Sequence, residues 1–322
     1  MARQGTAAPP SAAGTRAPAY RGRFAPSPTG PLHFGSLVAA LGSWLDARAH
    51  GGEWLVRIED LDPPREVPGA SAAILAALET LGLHWDGPVL YQSARAERYR
   101  EALASLERAG HTYRCACSRA RVARTARRRG PLGPVYPGTC RAEPAPPGPH
   151  AVRVRVDGAV VSFEDRLQGR HGTRLAESVG DFVVRRRDGL TAYHLAVVVD
   201  DADQGVTDVV RGADLLEATW CHLHLQRLLG LPAPRYLHLP VATAADGSKL
   251  SKQTGAAPVD LRRPSAALER ALAFLGHAVP AALRGAPPAE LLAWAAGRWS
   301  VRRVPPVRTR PASGTSSAPR GL

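Results

Sequence analysis

The sequence predicts an α/β fold: a doubly wound parallel sheet of the Rossmann-like, nucleotide-binding kind, with an insertion and a short C-terminal helical segment. Two observations predict it. A short strand candidate, RGRFAP, leads through the turn SPTGPLHFG into a helical pattern, and EWLVRIEDLD then reads as a second strand, Trp54–Ile58. This βαβ order favours parallel strands, because a right-handed crossover returns the second strand beside the first. Ligands bind at the carboxyl ends of such strands.

The remaining elements follow in order. The first helix carries Leu37, Leu41, Trp44 and Leu45 on one face and ends at Gly51 and Gly52. Later helices are predicted over residues 71–81, 94–109, 217–229, 265–275 and 288–297, the first three ended by Gly82, Gly110 and Gly230. Strands are predicted at AVRVRVDG, with Val152, Val154 and Val156 on one side, and at 235–242. The segment DFVVRRRDGLTAYHLAVVV predicts a hairpin around Asp188–Gly189 that leads back to the sheet.

This pattern divides the chain into six parts. We expect a disordered leader (1–20), the first half of the catalytic domain (21–112), an insertion (113–188), the second half (189–255), a helical segment (256–302) and a disordered tail (303–322). The insertion is where the alternation of strand and helix breaks down.

Charge points to a polyanionic partner. The formal net charge of the 322 residues is +14, and it lies in residues 1–22, 119–129 and 298–322, which contain arginine and no acidic residue. Nucleic acid is therefore favoured over a membrane as partner, although arginine-rich tails and a solvated arginine-rich loop explain the same charge equally well. No stretch approaches the roughly 18 apolar residues of a transmembrane helix, and no signal peptide is evident, so we expect a cytoplasmic protein.

Three of the four cysteines form a candidate metal site. Cys115 and Cys117 make a Cys-x-Cys pair, and Cys140 follows at a distance within the insertion. Tetrahedral zinc takes four ligands, so three thiolates leave two interpretations open: a zinc site, or reduced structural cysteines. Tyr136, His111 and His150 are the local candidates for a fourth ligand. Cys221, in ATWCHLHL, reads as a buried helix residue.

Two short motifs suggest phosphate chemistry. In FAPSPTGPLHFGS the turn opens a helix whose free N–H groups attract phosphate, His33 offers a further donor, and Gly35 leaves room for a base. The loop GSKLSKQT contains the only two lysines of the chain, Lys249 and Lys252. That could be chance in an arginine-rich sequence, or a need for flexible ammonium groups that follow a moving phosphate charge.

Together these motifs resemble the glutamyl group of class I aminoacyl-tRNA synthetases. RFAPSPTGPLHFGS is similar to the HIGH signature region and KLSKQ to the KMSKS loop, and RIEDLDPPR, YHLAVVVDD and VRGADLL look like further blocks of that group, over roughly residues 21–300. Only 70 residues follow Lys252, too few for the anticodon-binding region of a full glutamyl-tRNA synthetase. That shortness, with EVPGA and GLHWDG, most resembles the glutamyl-Q tRNA(Asp) synthetase branch.

The resemblance implies a ligase that uses ATP, with Mg²⁺, to activate L-glutamate without tRNA and transfers it to the queuosine base at the wobble position of tRNA(Asp). It also implies one structural Zn²⁺ per chain, with Tyr136 oxygen as fourth ligand beside Cys115, Cys117 and Cys140. We expect a monomer. Two alternatives remain: a truncated synthetase that charges a tRNA 3′ end, and a zinc-stabilised RNA-binding module without ATP turnover.

The resemblance also assigns roles to single residues. Glutamate has two carboxylates and one ammonium, which suit arginine and one acid. Arg23 and Arg211 are implied for the carboxylates, Glu59 for the ammonium, Ala25 and Ser27 for the lining, and Tyr193 for packing or a hydrogen bond. His33, Gly35 and Lys252 are implied for ATP, with Lys249 and Lys252 neutralising the leaving group. Asp60 and Asp62 either cap the next turn or orient Arg57 and Arg65, and a structural role is favoured.

Overall fold

The structure, a computed structural model, describes residues 19–142, 147–244, 246–250 and 257–312. The first half of the parallel sheet and its helices are Arg21–Phe24 (β1), Phe34–Ala49 (α1), Glu53–Ile58 (β2), Ala70–Thr80 (α2), Leu90–Tyr91 (β3) and Ala96–Arg108 (α3). Each of these elements was predicted within two residues, except the two-residue strand β3. Gly82 and Gly110 end the helices α2 and α3 with φ of 73° and 72°, which only glycine adopts readily.

The intervening segment contains short strands and helices. They are Thr112–Cys115 (β4), Arg119–Thr125 (α4), Arg129–Gly130 (β5), Gly133–Pro134 (β6), Thr139–Ala142 (α5), Ala151–Val154 (β7), Val160–Asp165 (β8), Gly169–Arg174 (β9), Leu175–Ser178 (α6) and Val183–Arg185 (β10). Strands β10, β7 and β4 form an antiparallel sheet in that order. Val152, Val154 and Val156 are all buried, as their alternation predicts. The boundaries of this segment as a domain stay a prediction.

The second half returns to the parallel sheet. Its elements are Tyr193–Asp203 (α7), Asp208–Gly212 (β11), Ala218–Leu229 (α8), Arg235–Leu239 (β12), Val241–Thr243 (β13), Pro264–Phe274 (α9), Pro288–Ala296 (α10) and Thr309–Pro311 (β14). Cys221 is fully buried in α8, as expected.

The sheet confirms the doubly wound fold class. Strand β1 pairs in parallel with β2, β2 with β3, and β11 with β12. The two halves meet between β1 and β11, where the Thr207 N–H donates to the Arg21 carbonyl at 2.9 Å. The strand order therefore reverses beside β1, which places the topological switch point at its carboxyl end. Strand β8 of the intervening segment adds to the far edge of β12, where Asp165 faces Tyr236.

One predicted strand is a helix. The chain does reverse near Gly189, where Arg185 and Thr191 form an antiparallel bridge, but the residues beyond it form α7 and not a returning strand. Seven of the eleven α7 residues are buried, from Leu195 to Asp201. Because this valine-rich run is buried, it shows no helical alternation of apolar and polar residues, and periodicity cannot distinguish it from a buried strand.

Both predicted terminal segments are partly structured. Residues 1–18 and 313–322 lie outside the described residues. Tyr20, assigned to the leader, is buried, and residues 303–312, assigned to the tail, include β14, which pairs in parallel with β13. Backbone hydrogen bonds hold this strand, so its arginine- and proline-rich composition did not predict it.

Asp46 on α1 is hydrogen-bonded to three distant parts of the chain. Its side chain is fully buried and accepts hydrogen bonds from Tyr20 Oη (2.6 Å), Arg166 Nη2 (3.0 Å) and Trp299 Nε1 (2.9 Å). The pKa of Asp46 is lowered: burial opposes the shift, but the Arg166 guanidinium and these donors overcome it. One carboxylate thus joins the N-terminus, the intervening segment and the C-terminal helical segment.

Within the part of the chain that the structure describes, no helix combines the length and the apolar character that crossing a bilayer requires.

Replacing Asp46 with alanine should lower the free energy of unfolding by about 3 kcal/mol, because the Arg166 cation loses its buried partner. Denaturant unfolding followed by circular dichroism measures this. Asp260→Ala is the matched control, since Asp260 is exposed and, among the described residues, its side chain is hydrogen-bonded only to nearby Arg262. Equal midpoints for the two variants would contradict the role given to Asp46.

Candidate active site and cysteine cluster

A cavity of about 420 Å³ lies at the switch point of the sheet. It is lined by residues from the turn after β1, the start of α1, the end of β12 and the segment 249–250. Four residues expected at the site lie on its wall: Ser27, His33, Gly35 and Lys249. Two motifs more than 200 residues apart in sequence therefore meet here, as the sequence predicts.

His33 ends the turn and caps the helix behind it. It has extended backbone, and its Nδ1 accepts the Ser36 N–H at 3.2 Å, so it is the N-cap of α1. The neutral ring then carries its proton on Nε2, which lies 3.0 Å from Ser36 Oγ. A Cβ added at Gly35 would lie 3.2 Å from the His33 ring and 3.4 Å from the Leu250 carbonyl. Glycine therefore keeps this part of the cavity open.

Lys249 reaches the same cavity from the opposite side. Its Nζ forms an ion pair with Asp214, which follows β11 and also lines the cavity. The Lys249 side chain is half-exposed, so the pair is accessible to an incoming anion. Lys252 lies outside the described residues.

A second cavity, of about 1300 Å³, adjoins the first. Ser27 and Thr29 line both, so the turn after β1 forms their common wall. Glu59 and Tyr193 line the large cavity on the sheet side, and Cys117 and Arg119 line it on the side of the intervening segment. The large cavity therefore connects the carboxyl edge of the sheet with the cysteines.

A buried group of charges lies behind Glu59. Arg57 is fully buried and contacts Asp201 at 2.8 Å and Glu59 at 3.5 Å, and Asp201 also accepts from Arg23 Nε at 3.1 Å. Burial raises the pKa of Glu59 to about 7, although the Arg57 and Arg23 cations oppose the shift. Glu59 is thus poised to change charge near neutral pH. Ala25 is half-buried between Phe24 and Pro26, which both line the small cavity.

Arg211 lies beside Tyr193. It is 5% exposed, and its Nη1 approaches the Tyr193 hydroxyl at 3.5 Å. Burial raises the pKa of Tyr193 to about 12, so its hydroxyl stays protonated at neutral pH. Among the described residues no carboxylate lies within 4.0 Å of the Arg211 guanidinium. A buried cation of this kind favours an anionic ligand.

Cys115, Cys117 and Cys140 form the cluster predicted for a metal. Their sulfur atoms all lie within 4.8 Å of one another. The Tyr136 hydroxyl lies 3.4 Å from Cys115 Sγ and 3.8 Å from Cys117 Sγ, and it accepts the Cys140 N–H at 2.9 Å. The metal-capable group found among the described residues contains neither His111 nor His150. Three soft sulfur ligands with one adjacent oxygen fit a tetrahedral metal ion.

The arginine-rich segment 119–129 lies between Cys117 and Cys140 of this cluster. All six of its arginines are exposed, and in the described part of the chain none forms an ion pair. Arg119 lines the large cavity directly. The segment therefore presents uncompensated positive charge beside the cavity mouth.

Several contacts were not predicted from the sequence. Asp201 forms an ion pair with Arg57, and Asp214 forms one with Lys249. Both acids come from segments distant in sequence from their partners. The adjacent acids of AVVVDD were the only signal for Asp201. Asp60 accepts hydrogen bonds from Ser93, and Asp62 forms ion pairs with Arg65 and Arg186. Of these contacts, the sequence predicted only the one between Asp62 and Arg65.

Comparisons with known proteins agree on one family. A family model described as tRNA synthetases class I (E and Q), catalytic domain, matches residues 19–273. The chain is 57% identical over 288 residues to the glutamyl-Q tRNA(Asp) synthetase of Dechloromonas aromatica, covering 89% of this chain and 96% of that one. It is 55% identical over 304 residues to the protein of the same name from Aromatoleum aromaticum, covering 94% and 96%. The solved structure of a glutamate-tRNA synthetase from Elizabethkingia anophelis superposes with a TM-score of 0.74 at 25% identity, covering 89% of this chain and 67% of that one.

Proposed function

This chain belongs to the class I glutamyl and glutaminyl tRNA synthetase family, and we propose that it activates glutamate with ATP and transfers it to the queuosine base of tRNA(Asp). The two relatives named glutamyl-Q tRNA(Asp) synthetase are matched over 96% of their own length. The observation that carries the proposal is the pair of adjoining cavities. A small cavity with a helix amino terminus and a lysine suits a nucleotide, and a large one with Glu59 and Tyr193 suits an amino acid and an acceptor.

Activation takes place at the common wall of the two cavities. An oxygen of the glutamate α-carboxylate attacks the α-phosphorus of ATP in line, the bond to the β-phosphate oxygen breaks, and pyrophosphate leaves. The chain contributes position and charge, since no covalent intermediate with the protein is required. The amino terminus of α1 and His33 bind phosphate oxygens, and Lys249 leaves Asp214 to balance the charge of the leaving group. Mg²⁺ accompanies ATP as part of the substrate.

Glutamate is held by Arg211 and Arg23, two of the three arginines that are buried in the described part of the chain. Arg211 binds one carboxylate beside the Tyr193 hydroxyl, and Arg23 contributes positive charge from the end of β1. Glu59 binds the ammonium in its ionised form. Ala25 and Ser27 shape the path between the amino acid and ATP. This arrangement offers cations to the carboxylates of the substrate and one acid to its ammonium.

Transfer uses the remainder of the large cavity. A hydroxyl of the queuosine cyclopentenediol attacks the carbonyl carbon of the glutamyl adenylate, an ester bond forms, and AMP leaves. The large cavity leaves room for a modified base, and the exposed arginines of 119–129 and Arg187 would bind the flanking phosphates.

We also propose that Cys115, Cys117, Cys140 and the Tyr136 oxygen hold one Zn²⁺. Its role is structural: it fixes the segment that forms the outer wall of the large cavity, where Cys117 is exposed to that cavity.

The purified chain should catalyse glutamate-dependent ATP–pyrophosphate exchange without tRNA, because every group proposed for activation belongs to the chain itself. Exchange that requires tRNA(Glu) would favour a truncated synthetase, and absence of exchange under any condition would favour an RNA-binding module.

Lys252→Ala should lower kcat far more than it raises KM for glutamate, since the lysine acts on the leaving group.

Lower pH should weaken glutamate activation, because protonated Glu59 cannot bind an ammonium. Below a pH of about 7, kcat/KM for glutamate should fall about tenfold per unit, since this parameter reports the free enzyme. Exchange measured with saturating glutamate and varied ATP is the control and should change little. A flat glutamate profile between about pH 5.5 and about pH 8 would remove Glu59 from the ammonium site.

Metal content should depend on Tyr136 as well as on the cysteines. Mass spectrometry of the metal should find one zinc per chain, lost in Cys140→Ser. Tyr136→Phe should release zinc to a chelator about tenfold faster, because water replaces a protein ligand. Cys221→Ala, which removes a buried cysteine in α8, should release zinc at the wild-type rate. Equal release rates in the Tyr136 and Cys221 variants would exclude the tyrosine ligand.

A further inference from the structure

Arg211 is held by uncharged partners. Its Nε donates to His238 Nε2 at 3.1 Å, and its Nη2 donates to Thr219 Oγ1 at 2.8 Å. Arg57 shows the contrasting arrangement, because carboxylates contact its guanidinium directly. Arg57 and Arg211 are both buried, but they have different kinds of partner.

The His238 ring lies between Arg211 and a carboxylate, that of Asp165. His238 is fully buried on β12, and its Nδ1 lies 2.6 Å from Asp165 Oδ2. Arginine only donates hydrogen bonds, so His238 Nε2 must accept, and the ring proton must lie on Nδ1 and point at Asp165. Burial lowers the pKa of His238 to about 4, so the ring is neutral when the enzyme works.

Asp165 is itself rigidly placed. Its Oδ1 accepts the N–H groups of Leu167 (3.0 Å) and Gln168 (2.8 Å) in the turn between β8 and β9. The pKa of Asp165 is lowered: burial opposes the shift, but the His238 bond and these N–H groups overcome it. An ionised carboxylate thus fixes the tautomer of His238, and His238 fixes the plane of the Arg211 guanidinium.

The His238 imidazole orients Arg211 without neutralising its charge. A carboxylate in direct contact would orient Arg211 but would also neutralise it and compete with a carboxylate of the substrate. A neutral imidazole orients the same guanidinium through one hydrogen bond and keeps the negative charge at a distance. The full positive charge of Arg211 remains available for a ligand.

We propose that Asp165 and His238 are positioning residues that set the affinity of Arg211 for the glutamate carboxylate. This inference rests on the proposed function, since it needs Arg211 to bind glutamate. It also gives the intervening segment a part in substrate binding, because Asp165 ends β8.

Two isosteric variants separate the two hydrogen bonds of His238. In His238→Asn the amide can still donate to Asp165, but Arg211 Nε loses its acceptor. In His238→Gln the amide oxygen reaches the former Nε2 position and can accept from Arg211. In tRNA-free exchange, KM for glutamate should rise about tenfold in His238→Asn and clearly less in His238→Gln, with kcat and KM for ATP within about twofold of wild type.

His277→Gln is the matched control. His277 is equally buried, with its ring nitrogens bonded to the Leu275 carbonyl and the Ser300 N–H, in the C-terminal helical segment. It should lower the melting temperature and leave KM for glutamate unchanged. The rise in melting temperature that added glutamate produces gives a second readout for variants with little exchange activity.

Two results would overturn the inference. One is an unchanged KM for glutamate in both His238 variants, with melting temperatures lowered as in His277→Gln. The other is an equal rise of KM in the Asn and Gln variants, because the acceptor would then be irrelevant. Arg211→Ala keeps this test distinct from the proposed function: an unchanged KM in that variant would remove Arg211 from the glutamate site, whatever His238 does.

Discussion

The fully buried charge of Arg57 is the constraint on which the site depends. A guanidinium without access to water requires several acceptors, and Asp201, Glu59 and the Gln204 side chain provide them. Asp201 in turn holds Arg23, so β1, β2 and α7 are joined behind the cavities by one set of ion pairs. The same burial that encloses these charges raises the pKa of Glu59, although the Arg57 and Arg23 cations oppose that shift.

This arrangement divides the work between the arginines. Arg57 is held by acids, whereas Arg211 is held by a neutral histidine, which in the proposed function leaves its charge for the glutamate carboxylate. At the phosphate end, Lys249 pairs with Asp214, and both side chains are partly exposed, so an anion can reach this pair. In the proposed function, Arg211 and Lys249 meet the charges of the substrate, whereas Arg57 belongs to the frame behind them.

Local motifs could be predicted from the sequence, and contacts between distant segments could not. His33 and Gly35 belong to one contiguous segment at the start of α1, and glycines mark the helix ends, so the positions of both could be predicted locally. The contacts of Asp201, Asp214 and His238 join elements far apart in sequence, and a single sequence contains no record of such pairs. The helix α7 was misread because its valine-rich run is buried and lacks the alternation of apolar and polar residues that reveals a helical period.

The central claim is that glutamate is placed on the anticodon base and not on the tRNA 3′ end. The most direct measurement incubates the enzyme with ATP, labelled glutamate and queuosine-containing tRNA(Asp), digests the product with a base-specific nuclease, and locates the label among the fragments. The account predicts label on the anticodon fragment, and none when the tRNA lacks queuosine. Label on the 3′-terminal fragment would contradict it and identify a short synthetase of the ordinary kind.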